Sequence, residues 1–185
     1  SASVSPTQIN FVVPMSAPTS GNVDIQLVQP STGRIFAAGQ MPMNTAAPGI
    51  LQLTYTGKNR QAALINADGT VNSPTNRASR GTYVSLYATG QGFVPGAPPD
   101  GELVTSDIRT PLPPRIALNG IFLEDYVRNG EDRPKDQWLY SSGLQQHPGL
   151  WQINFYIPSS VLPGAEVSIL ILAGNSILSA DSTIN

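Results

Sequence analysis

Gln8-Ile9-Asn10-Phe11-Val12-Val13-Pro14 returns later in the chain as Gln152-Ile153-Asn154-Phe155-Tyr156-Ile157-Pro158, at an offset of 144 residues. Over positions 8–28 the same ungapped offset gives eight identities in 21 positions, because Ser16, Val23 and Ile25 also recur. We name residues 8–28 the first copy and residues 152–172 the second copy. A strand, a proline-marked connection and a second strand are used twice. We expect both copies to form neighbouring ribbons of one two-layered sandwich, with Phe11 and Phe155 in similar surroundings.

The alternative is that two unrelated hairpins share a strand-like composition, but the identical Gln-Ile-Asn-Phe block and the ungapped register favour duplication. Only seven residues precede the first copy, whereas a long stretch at about 81–150 precedes the second. If both copies share one fold, the first copy lacks its opening strands and exposes an unpaired sheet edge. Three explanations remain open: Ala47–Val71 supplies the strands, a partner covers the edge, or the chain boundary falls inside a domain.

The rest of the chain carries the pattern of an all-β protein. Strand-like runs are separated by Gly, Pro, Asn and Asp turns, and no stretch has a convincing helical period. The clearest runs are Gln8–Val13, Asn22–Val28, Gln61–Ile65, Thr82–Thr89, Arg115–Leu118, Gln152–Ile157 and Glu166–Leu172. Strands at this spacing, with turns between them, predict a β-sandwich. We predict two related modules, an incomplete one with a connecting hairpin at 1–76 and a complete one at 77–185.

Composition excludes several classes of protein. Only 12% of the 185 residues are charged and the formal net charge is −2, which gives no electrostatic basis for binding nucleic acid or an anionic membrane. No apolar run is long enough to insert into a membrane as a helix. Cysteine is absent, so thiolate metal sites and cysteine nucleophiles are excluded. The chain begins on Ser1 without a methionine, which we interpret as a processed protein or an excised fragment.

Four blocks that follow one another in order resemble a known family. They are Ser5–Phe11, Gln61–Pro74, Arg80–Gly90 and Gly149–Pro158. The series is similar to the uncharacterised C-terminal domain of large exported acidobacterial proteins of the Solibacter type, whose halves resemble the IPT/TIG group of immunoglobulin-like modules. The resemblance implies an immunoglobulin-like sandwich, an extracellular or cell-envelope location and neighbouring domains in a larger parent protein. It implies no enzymatic activity. Residues 121–146 depart from the pattern and look like an insertion.

Few residues could carry catalysis or bind a metal. His147 is the only histidine and lies in a turn, so it is interpreted as a solvated loop residue, and zinc is not expected. Oxygen side chains alternate around Gly69, which makes Asn66, Asp68 and Asn72 calcium candidates. A tight Asp-Gly turn is the simpler interpretation. The acidic residues of the 124–136 segment are interleaved with basic ones and predict a solvated loop, with calcium binding or a hydrolytic carboxylate pair as the alternatives.

Aromatic residues suggest one ligand hypothesis. Trp138 and Tyr140 share parity on a predicted strand, and Tyr126 precedes them, so their rings could stack on sugar faces. Trp151 precedes an apolar strand, and core packing is its expected role. We therefore predict a non-catalytic module that acts as a spacer, adhesion or docking unit and needs no cofactor. The alternatives are a carbohydrate-binding module and a carboxylate-dependent hydrolase. Its partner would be a neighbouring domain, a protein or a glycan.

Overall fold

A computed structural model describes residues 3–5, 7–56, 59–127, 137–140, 149–174 and 182–184. The described chain is almost entirely β-structure, as the sequence predicted. The strands of the first 65 residues are β1 (Ser3–Val4), β2 (Ile9–Asn10), β3 (Gly21–Val28), β4 (Ile35–Met43), β5 (Gly49–Ile50), β6 (Gln52–Thr56), β7 (Asn59–Ala62) and β8 (Leu64–Ile65). The later elements are β9 (Tyr83–Thr89), β10 (Ile108–Arg109), β11 (Arg115–Leu118), β12 (Ile121–Phe122), α1 (Leu123–Val127), β13 (Gln137–Tyr140), β14 (Trp151–Tyr156), β15 (Val167–Leu172) and β16 (Ser182–Ile184).

Two six-stranded sheets form the body of the molecule. Sheet 1 has the order β10-β13-β14-β9-β5, with β8 also paired to β9. Sheet 2 has the order β12-β11-β15-β16-β7-β6. The described pairings are antiparallel except for the parallel pair β16–β7. The predicted all-β sandwich is therefore confirmed.

One apolar core joins the two sheets. The alternation of β14 buries Trp151, Ile153 and Phe155 from sheet 1, and the same alternation on β15 buries Val167, Ile169 and Ile171 from sheet 2. These side chains lie in a single cluster, because strand residues two apart point to the same face of a sheet. Full burial of a large apolar side chain contributes roughly 1.5–3 kcal/mol. The second copy thus supplies buried side chains to both faces of the core.

Two separate ribbons precede the sandwich. β1 pairs with β2, and β3 pairs with β4 along its whole length. The prediction that the two copies have similar surroundings is wrong, because the Phe11 side chain is 52% exposed and that of Phe155 is fully buried. The physical reason is the number of layers. The second copy contributes one strand to each face of a two-sheet core, whereas the first copy forms only two-stranded ribbons.

Hydrogen bonding crosses the boundary predicted at residue 76. β5 and β8 pair with β9 of sheet 1, and β7 pairs with β16 of sheet 2. Ala62 and Leu64 are buried in the common core. The Ala47–Val71 segment therefore completes the sandwich of the second copy and supplies no strand to the ribbons of the first copy in the described residues.

Some elements were absent from the sequence prediction. β4, which was not among the predicted strands, contains Gly39 and Pro42. An edge strand tolerates a proline because only one of its sides carries a ladder. The acidic start of the 124–136 segment forms the single-turn helix α1, whereas the sequence had indicated a loop. In the described residues, no helix has the length and hydropathy needed to cross a membrane.

Candidate docking surface

The first copy exposes the apolar residues that its equivalent buries. Ile9, Phe11 and Val13 are 40%, 52% and 38% exposed. Their counterparts at the offset of 144 are Ile153, Phe155 and Ile157, which are 0%, 0% and 4% exposed. On a soluble protein, neighbouring exposed apolar side chains can mark an interaction surface, whereas a single exposed apolar side chain is ordinary. We name Ile9, Phe11 and Val13 the open apolar row.

The open apolar row follows from missing neighbours in the sheets. In the second copy, β14 lies between β13 and β9, and β15 lies between β11 and β16. In the first copy, β2 has β1 as its one partner among the described strands, and β3 has β4. The ladder of β14 runs to Tyr156 because β9 pairs with it throughout. β2 ends at Asn10, so residues 11–13 have no ladder to extend.

The strands that are present match in order and direction. β1 precedes β2 and pairs with it at Ile9, as β13 precedes β14 and pairs with it at Ile153. β4 follows β3 and pairs antiparallel with it, as β16 follows β15. The first copy therefore has counterparts of the last four strands of the sandwich. It has no counterpart of β9 or β11 among the described residues.

The connection between the repeated strands is also the same in both copies. The amide of Ala17 donates to the carbonyl of Pro14 at 3.0 Å, and the equivalent amide of Val161 donates to the carbonyl of Pro158 at 3.2 Å. Proline fixes its own φ and begins a turn well. The recurrent Pro14 thus marks a recurrent turn, which supports the duplication at the level of local structure.

A carboxylate fastens this turn to the sandwich in the first copy. Asp100 Oδ1 accepts a hydrogen bond from the Met15 amide at 2.7 Å, and Oδ2 accepts one from the Ser16 hydroxyl at 3.1 Å. The Met15 amide bond is the main reason that the pKa of Asp100 lies below its ordinary value, since a donor stabilises the charged form. The Met15 side chain packs beside Val94 and Val104, which form a small cluster of their own.

Two glycines after β9 let residues 45–47, which lead into the sandwich, approach their backbone closely. A Cβ on Gly90 would lie 1.9 Å from the Ala47 carbonyl oxygen, and one on Gly92 would lie 2.0 Å from that of Thr45. Both glycines have positive φ, and the Ala47 amide donates to the Gly90 carbonyl at 2.8 Å. Gly90 and Gly92 directly follow β9, where a glycine pair turns the chain out of the strand. Its second role, close backbone approach, needs the tertiary structure to be seen.

An open groove of about 690 Å³ lies at one end of the sandwich. Its apolar lining includes Ile157, Val161, Val167 and Ile184, and two arginines, Arg77 and Arg80, lie at its polar side. Arg80 donates to the carbonyls of Ser159 at 2.9 Å and Val161 at 3.3 Å. Arg80 therefore holds the turn of the second copy through two carbonyls, whereas Asp100 holds the turn of the first copy through an amide and a hydroxyl.

The three calcium candidates lie in the hydrogen-bonded turn that follows β8 and runs to Asn72. The Asp68 carboxylate accepts bonds from the amide and hydroxyl of Thr70, which lower its pKa. Asn66 accepts from the Asn72 side chain at 3.2 Å, so its oxygen already has a donor. Gly69 has a φ of 81°, as an Asp-Gly turn requires. These contacts account for the residues as turn formers, and calcium binding here stays an untested prediction.

In the described residues, no group of three or more His, Cys, Asp or Glu side chains is placed so that it could hold a metal ion. Glu124 forms an ion pair with Arg115, whose guanidinium also lies 3.9 Å from the centre of the Phe122 ring. The side chain of Glu124 thus has a structural partner. Glu131, Asp132, Asp136 and His147 lie outside the described residues.

The proposed aromatic site is not assembled at a surface by the described residues. Tyr126 is buried, and its hydroxyl donates to the Leu118 carbonyl at 3.2 Å, which corrects its assignment as an exposed ligand contact. A tyrosine on the last turn of α1 fills the core because its hydroxyl finds a partner there. Backbone register places Trp138 opposite Ile153 and Tyr140 opposite Trp151. The side chains of Trp138 and Tyr140 lie outside the described part of the structure.

Comparison with known proteins adds no relative: no family model, curated protein or solved structure matches the chain. Among the described residues, the open apolar row is notable because its equivalent in the second copy is buried. Sequence reasoning came close to it through the short stretch before the first copy, which indicated an unpaired edge. It did not anticipate the exposure of Phe11, because identical residues in an ungapped repeat suggested identical burial.

Proposed function

We propose that this chain is a non-catalytic immunoglobulin-like module of an exported or cell-surface bacterial protein, and that it docks a neighbouring polypeptide through the first copy. The observation that carries the proposal is the exposure of Phe11, whose equivalent Phe155 is buried. An apolar row beside an incomplete sheet is stabilised when another chain segment covers it. The resemblance to modules of large exported proteins supports the same role, since such modules have neighbouring domains.

The non-catalytic part of the proposal is tested by a screen for turnover. We expect the purified chain to hydrolyse no generic glycoside, ester, peptide or phosphate substrate above the blank. Glu124→Gln and Asp125→Asn are the informative variants, because these carboxylates begin the acidic segment. Turnover that disappears in either variant, while the variant keeps the unfolding midpoint of the wild type, would contradict the proposal and support the hydrolase alternative.

The docking part is tested by cross-linking. A photo-reactive amino acid is placed at position 11 in the full-length parent protein, and at position 36 in a matched control. Phe36 is the control because it is 57% exposed and belongs to the same part of the chain. We expect position 11 to cross-link to a segment outside residues 1–185 and position 36 to give no such product. Cross-links from position 11 that stay within residues 1–185 would disprove docking.

A further inference from the structure

The second copy shows what kind of segment fits the open apolar row. Beside β14, the antiparallel strand β9 places Val84 opposite Phe155 and Leu86 opposite Ile153. Val84, Leu86 and Ala88 alternate along β9 and are all buried in the core. The same chemistry beside the first copy would place one aliphatic residue opposite Phe11 and another, two residues further along, opposite Ile9.

The free edge of β2 is the one that β9 occupies in the second copy. On the β9 edge of β14 the Ile157 amide donates to the Thr82 carbonyl, and in the first copy the Gln8 carbonyl accepts from the Ser5 amide on the β1 edge. Gln152, the equivalent of Gln8, lies five residues from Ile157 and therefore bonds on the opposite edge, toward β13. An antiparallel strand has two edges, and its residues alternate between them in the bonds they make. Because β1 takes the place of β13, the edge left beside β2 corresponds to the edge of β14 that β9 covers.

Charge does not contribute to recognition at this edge. Residues 1–23 contain no Asp, Glu, Lys or Arg, and the first charged residue is Asp24. An occupant would be held by main-chain hydrogen bonds and by alternate apolar side chains, which is the mode of recognition known as strand addition. Such binding is insensitive to salt, because screening weakens only interactions between charges.

The β9 strand of a second copy of this chain is not a suitable occupant. It is paired on one side with β14 and on the other with β5 and β8, and its apolar side chains are buried. Donating β9 to another molecule would dismantle sheet 1. The occupant is therefore a strand from a different polypeptide segment.

We propose that the first copy is an acceptor for an uncharged β-strand with aliphatic residues at alternate positions, which adds antiparallel to residues 7–12 in the way that β9 adds to β14. This inference rests on the proposed docking function and specifies the partner of that surface. The strand would flank Ile9 and Phe11 with its own aliphatic side chains and extend the ladder beyond Asn10. The first copy would then gain the neighbour that the second copy already has.

The experiment uses the purified chain and a labelled peptide with the sequence of residues 82–90. The control peptide carries the V84D and L86D changes, which keep its length. We expect saturable binding of the first peptide by fluorescence anisotropy, and no binding of the control. Affinity is expected to stay within about twofold between low salt and about 0.5 M salt. Hydrogen exchange is expected to slow at Ile9 and Phe11.

Two protein variants locate the binding site. Phe11→Asp is expected to weaken binding at least tenfold, because a charge would be buried against the peptide. Phe36→Asp is the matched control and is expected to leave the affinity unchanged, because Phe36 lies on β4 and outside residues 7–12. As the neighbour of Ala37, it points away from the face that Leu27 and Ala37 share.

Several outcomes would overturn the inference. One is that the wild-type peptide does not bind, and another is that it binds the Phe11→Asp variant as tightly as the unchanged protein. The inference also fails if hydrogen exchange becomes faster at residues 83–89, because the peptide would then be displacing β9, or if the free chain is a dimer. A peptide that fails to bind while position 11 still cross-links to a segment outside the chain would refute only the strand chemistry. Absence of that cross-link refutes the docking function itself.

Discussion

The first and second copies have the same local structure and opposite environments. Each has a strand, a turn closed by a bond to a proline carbonyl and a second strand in a different sheet. Yet Phe155 is buried and Phe11 is half exposed. Local sequence therefore decides where the chain extends and turns, whereas burial is decided by which strands lie alongside. The comparison separates these two levels within one molecule, because the repeated residues serve as their own control.

Removal of the repeated phenylalanine gives the largest expected contrast. Phe155→Ala leaves a cavity in the core and is expected to lower the free energy of unfolding by about 3–5 kcal/mol. Phe11→Ala removes an exposed ring and is expected to cost less than about 0.5 kcal/mol. Urea denaturation followed by tryptophan fluorescence measures both. Equal losses would show that Phe11 is packed in solution and that the two environments do not differ.

Loss of the close approach between Gly90 and Ala47 is expected to give the next largest effect. Gly90→Ala places a Cβ against the Ala47 carbonyl and also demands positive φ, so we expect a loss of about 2–3 kcal/mol. Gly96→Ala is the matched control, because Gly96 has a φ of 81° and open space around its Cα. It is expected to lose only about 1 kcal/mol. Similar losses in the two variants would mean that the close approach contributes nothing.

The sequence predicted the strands better than the sheets. Thr82–Thr89 and Gln152–Ile157 were expected and are found as β9 and β14 almost without change, since alternation and bounding turns are local signals. β4 was missed because Gly39 and Pro42 disfavour a central strand and their edge position is visible only in the pairing. Local sequence patterns therefore do not show which strand will lie at the edge of a sheet.

The candidate surface was predictable in part for the same reason. The short stretch before the first copy indicated an unpaired edge, but the predicted burial of Phe11 came from its identity with Phe155. The identity of the two phenylalanines shows that the two segments are similar in sequence. It does not show whether a strand equivalent to β9 lies beside the first copy. The bond from Met15 to Asp100 spans 85 residues and has no signature in sequence. Pairing of this range depends on the whole topology.

The two turns that link the repeated strands provide a smaller test. Arg80→Ala removes two hydrogen bonds to the carbonyls of Ser159 and Val161, and a loss of about 1 kcal/mol is expected. Arg77→Ala is the matched control, because Arg77 lines the same groove and donates to the Pro74 carbonyl instead. The amide resonances of residues 159–161 are expected to move in the Arg80 variant alone. Equal changes in both variants would assign the effect to lost charge.

The pH dependence of the first-copy turn is the smallest expected effect and the most local. The pKa of Asp100 is lower in the folded chain than its ordinary value of 3.8, chiefly because the Met15 amide donates to the carboxylate. A depressed pKa contributes stability that is complete above the ordinary value and is lost as the pH falls through the folded pKa. The Met15 amide chemical shift should therefore titrate with a midpoint below pH 3.8, and Asp100→Asn should abolish that titration. The Ala17 amide, which donates to the Pro14 carbonyl, should not follow it. A Met15 midpoint at or above 3.8 would mean that the carboxylate does not hold the turn, and the first copy would then depend on the packing of Met15 against Val94 and Val104 for its attachment to the sandwich.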